Sequence, residues 1–400
     1  MIRWNMGTRP SFLSATVITL ACAVGSLFAQ TPVRVATWNI QDVGPRGSDE
    51  YAATLAILDR IGADVVGINE FNEIGGTDAE QNFYDLADDA GYPFTVLPAT
   101  NPFGSLRNAL LSKYPFAAVT IHTSEGLSGD PGAKDITRLI IEVEIDLGAD
   151  ARVLTIAIEH WKAASGNNNE FRRAVESVRM AQVVGDLVSG QDAYVLMGDV
   201  NEELENVPLR PNPFRSLPRG LPQSFSLGAD LQAILEADGI VNDPFHQIID
   251  TAQTSLLDAQ QLDGNDATFP ASGRRIDYVF VSCALADLKP PAEVYDSADE
   301  GLPGGLPKYG EPPPPNASAV ASDHLPVFTD LIVPAAESIL PGDLDKDGDI
   351  DLMDYALFVT CLVGPGGGVA VGCEPADFDG DADVDARDFS TIQVEFTGPG

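Results

Sequence analysis

"VLMGDVNEE", residues 195–203, carries an apolar run that stops at Gly198 and then presents Asp199 and Asn201 two positions apart. Val195, Leu196 and Met197 read as the end of a buried strand. Alternate side chains of extended backbone point the same way, so a carboxylate and an amide would project together from that end. A strand closed by such a pair marks a place for catalysis or for a metal.

The same ending recurs along the chain: Asn39 in "TWNI", Glu70 in "GINEF", His160 in "IEHWK", Asp277 opening "RIDYVFVS", and Asp323-His324 ahead of "LPVF". Polar and charged groups at the ends of buried strands are costly unless those ends converge on one shared site. Between them the chain alternates β-branched runs with amphipathic stretches. "VRVATWNI" reads as a strand, "YAATLAILDRIG" as a helix ended by glycine, and "ADVVGINEF" as a strand. "NALLSKYP", "LIIEVEID", "RVLTIAIEHW", "AYVLMGD", "RIDYVFVS" and "LPVFTDLIV" follow as strands, with "FRRAVESVRMAQVVGDLVSG" as a long helix. This is an α/β domain. Residues 289–321, with "LPGGLPKYGEPPPPNAS", read as an exposed loop inserted between two strands.

The chain has 400 residues and a net charge of −37. Residues 31–333 hold 45 acidic and 19 basic residues, or −26, and the rest of the acidic excess lies from residue 334 on, at −13. Both parts are acidic, which excludes a broad basic surface for a phosphate backbone. Arg3 and Arg9 precede "FLSATVITLACAVGSLFA", the pattern of a secretory signal over residues 1–30, Cys22 included. The mature chain is therefore expected to be secreted or held at the cell surface, without a transmembrane segment. Of the remaining cysteines, Cys361 and Cys373 are the natural disulfide pair, and Cys283 is expected as a small core residue. No G-x-S-x-G, G-x-x-x-x-G-K-[ST] or H-E-x-x-H motif is present, so serine hydrolase, P-loop and zincin chemistries lack support.

Beyond a linker at 334–342, residues 343–400 hold an internal repeat with a period of 34 residues. "DLDKDGDIDLMDYALFVTCLVGP" places Asp343, Asp345, Asp347, Asp349 and Asp354, with Gly348 and Ile350, at the spacing of a calcium loop. "DFDGDADVDARDFSTIQVEFTGP" repeats it with Asp377, Asp379, Asp381, Asp383 and Asp388, but Ala382 replaces the turn glycine. Calcium is expected in both loops. Leu352, Tyr355, Leu357 and Phe358 of the first repeat are expected to pack on Phe389, Ile392 and Phe396 of the second.

Six motifs in this order make residues 31–333 resemble the endonuclease/exonuclease/phosphatase superfamily of metal-dependent phosphoesterases. "GDVN" stands where that family usually has an aromatic third residue, and "IEHWK" where it often has N-H-L-K. The resemblance implies a DNase I-like fold, a four-layer sandwich of two packed mixed β-sheets flanked by helices. It also implies a hard divalent cation, magnesium or manganese, held by Glu70 with Asn39 and Asp323. Asp199 and Asn201 would orient or deprotonate the attacking water and hold phosphate oxygens; Asp277 would steady His324 against the phosphate, and His160 would protonate the leaving oxygen. The repeat region resembles the dockerin module of secreted bacterial enzymes, a small all-α calcium-loop unit, implying a cell-surface or cohesin-like protein partner. Leu352-Met353 and Ala386-Arg387 replace the small hydroxyl pair common ahead of position 12 there.

The motifs leave the substrate open. Lys162, Arg172 and Arg173 after the histidine resemble secreted bacterial nucleases, which makes nucleic acid the expected substrate. The −26 charge, and Asn72 where DNase I-like enzymes carry a DNA-contacting arginine, point instead to a phosphatase or phosphodiesterase acting on small or lipid phosphoesters. The intact motif set argues against a third reading, a catalytically silent calcium-binding surface protein.

Overall fold

The computed structural model describes residues 30–41, 43–71, 79–99, 106–148, 151–188, 192–204, 213–214, 216–237, 240–241, 244–335, 342–344 and 350–396. The candidate export signal, Asn72, most of the linker, and Asp345, Asp347 and Asp349 lie outside the described residues.

Valine- and isoleucine-rich segments buried on both faces form two sheets. One runs, edge to edge, Ala259–Gln260, Ala292–Val294, Val327–Val333, Thr31–Asn39, Val65–Phe71, Arg107–Ser112 and Phe94–Val96. The other runs Thr254–Leu256, Asp277–Ser282, Ala193–Asp199, Leu154–His160, Ile140–Ile145 and Phe116–His122. Each sheet has a parallel pair at its centre, Thr31–Asn39 beside Val65–Phe71 and Leu154–His160 beside Ala193–Asp199, with antiparallel neighbours on both sides and, in the first sheet, one further parallel pairing at the Ala259–Gln260 edge. The sheets face each other across a core of Val33, Val35, Val65 and Leu110 against Ile156, Ile158, Val195, Met197, Val279 and Val281. Helices Asp49–Ile61 and Ala79–Asp89 cover the outer face of the first sheet, while Asn167–Val183 covers that of the second. The result is the four-layer sandwich that the motifs imply.

The first helix shows how the local sequence sets its own limits. Ser48 accepts the Tyr51 N–H at 3.1 Å, and Gly62, at φ 65°, ends the helix by returning its N–H to Leu58.

Two expectations need correction. Residues 289–321 are not one loop: they hold the strand Ala292–Val294, a turn at Ser297–Asp299 and the helix Ala317–Ala321. Proline and glycine mask these short pieces, and tertiary contacts fix them; Arg34 forks onto Asp330 at 2.6 and 2.8 Å between the rings of Tyr309 and Phe328. Cys283 is exposed, because the strand ends at Ser282 and the cysteine opens the short helix Cys283–Ala286.

Cys361 and Cys373 are disulfide-bonded, as expected. The C-terminal module has its own core of Ile350, Phe358, Ala376, Val384 and Ile392 around that bridge. Its helices, Leu352–Cys361 and Ala386–Glu395, each begin with a capping box, Asp351 with Asp354 and Asp385 with Asp388. Phe358 and Phe389 stack as foreseen, and Tyr355 lies against Phe389. Leu352, Leu357 and Phe396 do not join them: they are 70%, 42% and 45% exposed. Among the described residues no helix is long and apolar enough to cross a membrane.

Candidate active site

Strand polarity assembles the site. The two central parallel pairs deliver their carboxyl ends to one rim: Asn39 is in register with Asn69, and His160 with Asp199. Asp277 opens the neighbouring antiparallel strand directly opposite Asp199. His324 precedes the final strand, and the Trp38 indole N–H donates to its carbonyl oxygen at 3.0 Å.

Two amides join the sheets. Asn39 Nδ2 donates to Asp199 Oδ2 at 3.0 Å. Asn69 Oδ1 accepts the Asp199 backbone N–H at 2.9 Å, and its Nδ2 donates to Asn108 Oδ1 and to the Glu159 carbonyl oxygen at 2.9 and 3.1 Å. Gly198 is required here: at φ 147°, a Cβ would lie 1.9 Å from the Glu159 carbonyl oxygen. Glu70 and Asn201 hold positive φ of 59° and 52°, a strain that clusters at functional sites.

Asp199 is the hub. Its Oδ1 accepts the Asn201 N–H at 2.9 Å, while Asn201 Nδ2 donates to the Trp161 carbonyl oxygen at 3.1 Å. His160 Nε2 stands 3.4 Å from Asp199 Oδ2 and 3.5 Å from Glu70 Oε1, yet neither ring nitrogen of this fully buried imidazole makes a hydrogen bond. On the other flank His324 Nδ1 is 2.8 Å from Asp277 Oδ2, its Nε2 is 4.0 Å from Asp199, and the Phe269 ring packs on it at 4.8 Å.

Burial and Asp277 both raise the Asp199 carboxyl. Burial, Arg138 and His324 hold His160 well below the ordinary imidazole range, so it is neutral. Burial alone would lower His324, but Asp277, Asp199 and Asp323 override it and push the imidazole up to about 10. A group whose pKa rises on folding stabilises the fold fully below its unfolded value and loses that contribution as pH climbs through the folded one. Metal-free protein is therefore expected to melt at progressively lower temperature as pH rises from the ordinary 6.5 toward about 10, and His324→Gln on a flatter profile. Thermal melts in chelator across that range check this.

The donor set fits a divalent cation. Glu70, His160 and Asp199 each bring one ligand atom within 4.8 Å of the others, two carboxylates beside a neutral imidazole whose nitrogens lack partners. Asn39 sits beside this group through Asp199, whereas Asp323 is exposed and outside it. In the module, Asp377, Asp379 and Asp388 gather likewise; Asp377 accepts the N–H of Gly380 and Ala382, and Ala382 takes up φ 68°. Asp388 also accepts the N–H of Phe378 and Asp385, while Asp354 takes the matching bonds from Leu344 and Asp351 in the first loop.

Two of the three cations expected to meet nucleic acid are occupied. Arg173 is buried on Glu202 at 2.7 Å and on the Lys162 and Ala164 carbonyl oxygens, and Arg172 is buried over Phe225. Lys162 is half-buried. Sequence reading missed Asn69, Asn108, Glu159, Arg138 and the capping residues Asp351 and Asp385. Only the caps had a local signal, an Asp-x-x-Asp spacing ahead of each helix.

Comparison with known proteins matches residues 36–324 to the endonuclease/exonuclease/phosphatase family and residues 341–396 to the dockerin type I domain. Among solved structures the chain is similar to an endonuclease/exonuclease/phosphatase from Beutenbergia cavernae (19% identity over 76% of this chain and 72% of that one, TM-score 0.48). It is also similar to sphingomyelinase C from Streptomyces griseocarneus (13%, 75% and 99%, TM-score 0.46) and to the human nocturnin catalytic domain (16%, 75% and 94%, TM-score 0.43). No curated protein matches it.

Proposed function

The chain belongs to the endonuclease/exonuclease/phosphatase family, whose members hydrolyse phosphoesters, and from that premise we propose that it is an exported, divalent-metal-dependent phosphodiesterase or phosphatase acting on small or lipid esters. The observation that carries the proposal is the convergence of Glu70, His160 and Asp199 with the His324–Asp277 pair on one rim.

Glu70 would hold the cation, with Asn39 beside it through Asp199, and Asp199 and His160 face the same point. Magnesium or manganese, when bound there, supplies positive charge that polarises the phosphate. Asp199 takes the proton of the attacking water, its raised pKa suiting a base near neutral pH. Asn201 fixes a phosphate oxygen. His324, kept protonated by Asp277, opposes the charge that develops on the phosphoryl group. His160 is neutral and donates a hydrogen bond to the leaving oxygen, which departs as the oxyanion and takes its proton from solvent.

The choice of ester follows from charge. Residues 31–333 carry −26, and Arg172 and Arg173 are spent inside the fold, which disfavours a long polyanion. Phe269 offers an apolar surface beside His324. Bis(p-nitrophenyl) phosphate is thus expected to be cleaved with magnesium at a higher kcat/KM than supercoiled plasmid. Faster nicking of the plasmid, steeply weakened by salt, would restore the nuclease reading.

Dockerin domains bind calcium and cohesin partners. The C-terminal module is proposed to tether the hydrolase outside the cell to such a protein.

A further inference from the structure

Arg138 stands just ahead of the Ile140–Ile145 strand, 6% exposed, and makes a single hydrogen bond, from Nη1 to the Trp161 carbonyl oxygen at 3.1 Å. Its other two guanidinium nitrogens have no partner among the described residues, yet they are not sealed from solvent. Neither Glu176 nor Glu159 is hydrogen-bonded to Arg138, although Glu159 Oε1 has no partner among the described residues. Glu176 accepts the backbone N–H of Thr137 and Lys162 at 2.7 and 2.6 Å, and Glu159 accepts the Trp161 indole N–H at 2.5 Å. A permanently charged group left this way is expensive to bury unless an anion joins it.

The place where an anion would join is fixed by the shared acceptor. The Trp161 carbonyl oxygen takes Arg138 Nη1 on one side and Asn201 Nδ2 on the other, both at 3.1 Å. The guanidinium and the amide are thereby tied to one point, one residue beyond His160. Trp161 donates its own N–H to the Asp199 carbonyl oxygen at 3.0 Å, and Asn201 donates its N–H to Asp199 Oδ1 at 2.9 Å, which sets this point beside Asp199. Arg173 is held by Glu202, and Arg172 packs on Phe225 and donates to Thr137 Oγ1, whereas Arg138 is bonded to the same carbonyl oxygen as Asn201.

We propose that Arg138 is a catalytic residue: its unbonded guanidinium nitrogens hold a nonbridging oxygen of the substrate phosphate, beside the oxygen held by Asn201. This rests on the phosphoester reading above. A planar fork with several N–H groups suits a phosphate better than an ammonium does. A guanidinium needed only to brace the Trp161 carbonyl would have no use for open nitrogens.

The test uses the full chain with magnesium, comparing Arg138→Met and Arg138→Lys with wild type in two readouts. One is hydrolysis of bis(p-nitrophenyl) phosphate; the other is calorimetric titration of inorganic phosphate, which needs no turnover. Arg138→Met is expected to lose about a hundredfold in kcat/KM and to bind phosphate at least about tenfold more weakly. Low concentrations of guanidinium ion are expected to recover part of its rate and none of that lost in Glu70→Ala. Phosphate affinity and kcat/KM within about twofold of wild type would overturn the proposal. So would a folded, fully active Arg138→Lys beside an Arg138→Met that simply fails to fold. If wild type cleaves no ester, the hydrolase reading falls and the phosphate titration alone decides Arg138.

Discussion

Asp199→Asn is expected to lower phosphoester turnover by about a hundredfold or more while leaving the melting temperature unchanged or higher. The two halves of that result have one cause. Asp199 is 2% exposed beside Asp277, and its raised pKa means that ionising it costs the fold stability at neutral pH. An amide removes that cost. It also removes the base, and its single oxygen cannot satisfy both the Asn201 N–H and Asn39 Nδ2, which two carboxylate oxygens now accept. Glu70→Ala and His324→Ala are expected to lose activity on the same scale, the first by removing a cation ligand and the second by removing charge opposite the phosphate. Magnesium should raise the melting temperature of wild type and not that of Glu70→Ala. Kinetics and melts with and without EDTA decide the matter. Near-normal turnover in a folded variant removes that residue from the mechanism, and equal wild-type rates in chelator remove the metal.

The second large effect is expected in the C-terminal module: residues 341–396 alone, disulfide intact, should show little helix in chelator and gain it on titration with calcium. Residues from 334 on carry −13, and the buried apolar set around Ile350, Phe358 and Ile392 is small. Asp354 and Asp388 are fully buried, each accepting backbone N–H groups at a helix start, so neutralising their loops also secures both capping boxes. Ala382 at φ 68° should make the second loop the weaker site, and Ala382→Gly should tighten it. Calorimetry with Asp343→Ala and Asp377→Ala tests the order. A spectrum unchanged across the titration, or a tighter site lost with Asp377, would show that the repeat is not a calcium pair of this kind.

Residues whose placement is set by their own segment were legible without coordinates. Asn39, Glu70, His160, Asp199, Asp277 and His324 each stand at or near a strand end beside an apolar run, and the polarity of the strands brings those ends to one rim. Cys361 and Cys373 were paired by nearness and compartment. What was not legible depends on which surfaces meet. Asn69 looks like a neighbour of Glu70, but its amide spans the gap to the opposite sheet. Arg172 and Arg173 look like phosphate ligands until Glu202 and Phe225, distant in sequence, claim them. Arg138, in "DITRLIIE", carries no motif at all.

The strand Thr31–Asn39 opens the domain and Val327–Val333 closes it, and the two lie side by side over seven paired positions, Thr31 with Val333 through Thr37 with Val327. Asn39, the first residue of the candidate site, therefore waits for nearly the whole domain to be synthesised before its sheet is complete, and His324 arrives last of all. Pairings of such long range form late and slowly. A ribosome stalled anywhere before residue 324 carries a chain with no closing strand and no cationic imidazole, whatever else has folded. On the proposed mechanism, activity therefore cannot precede synthesis of the closing strand.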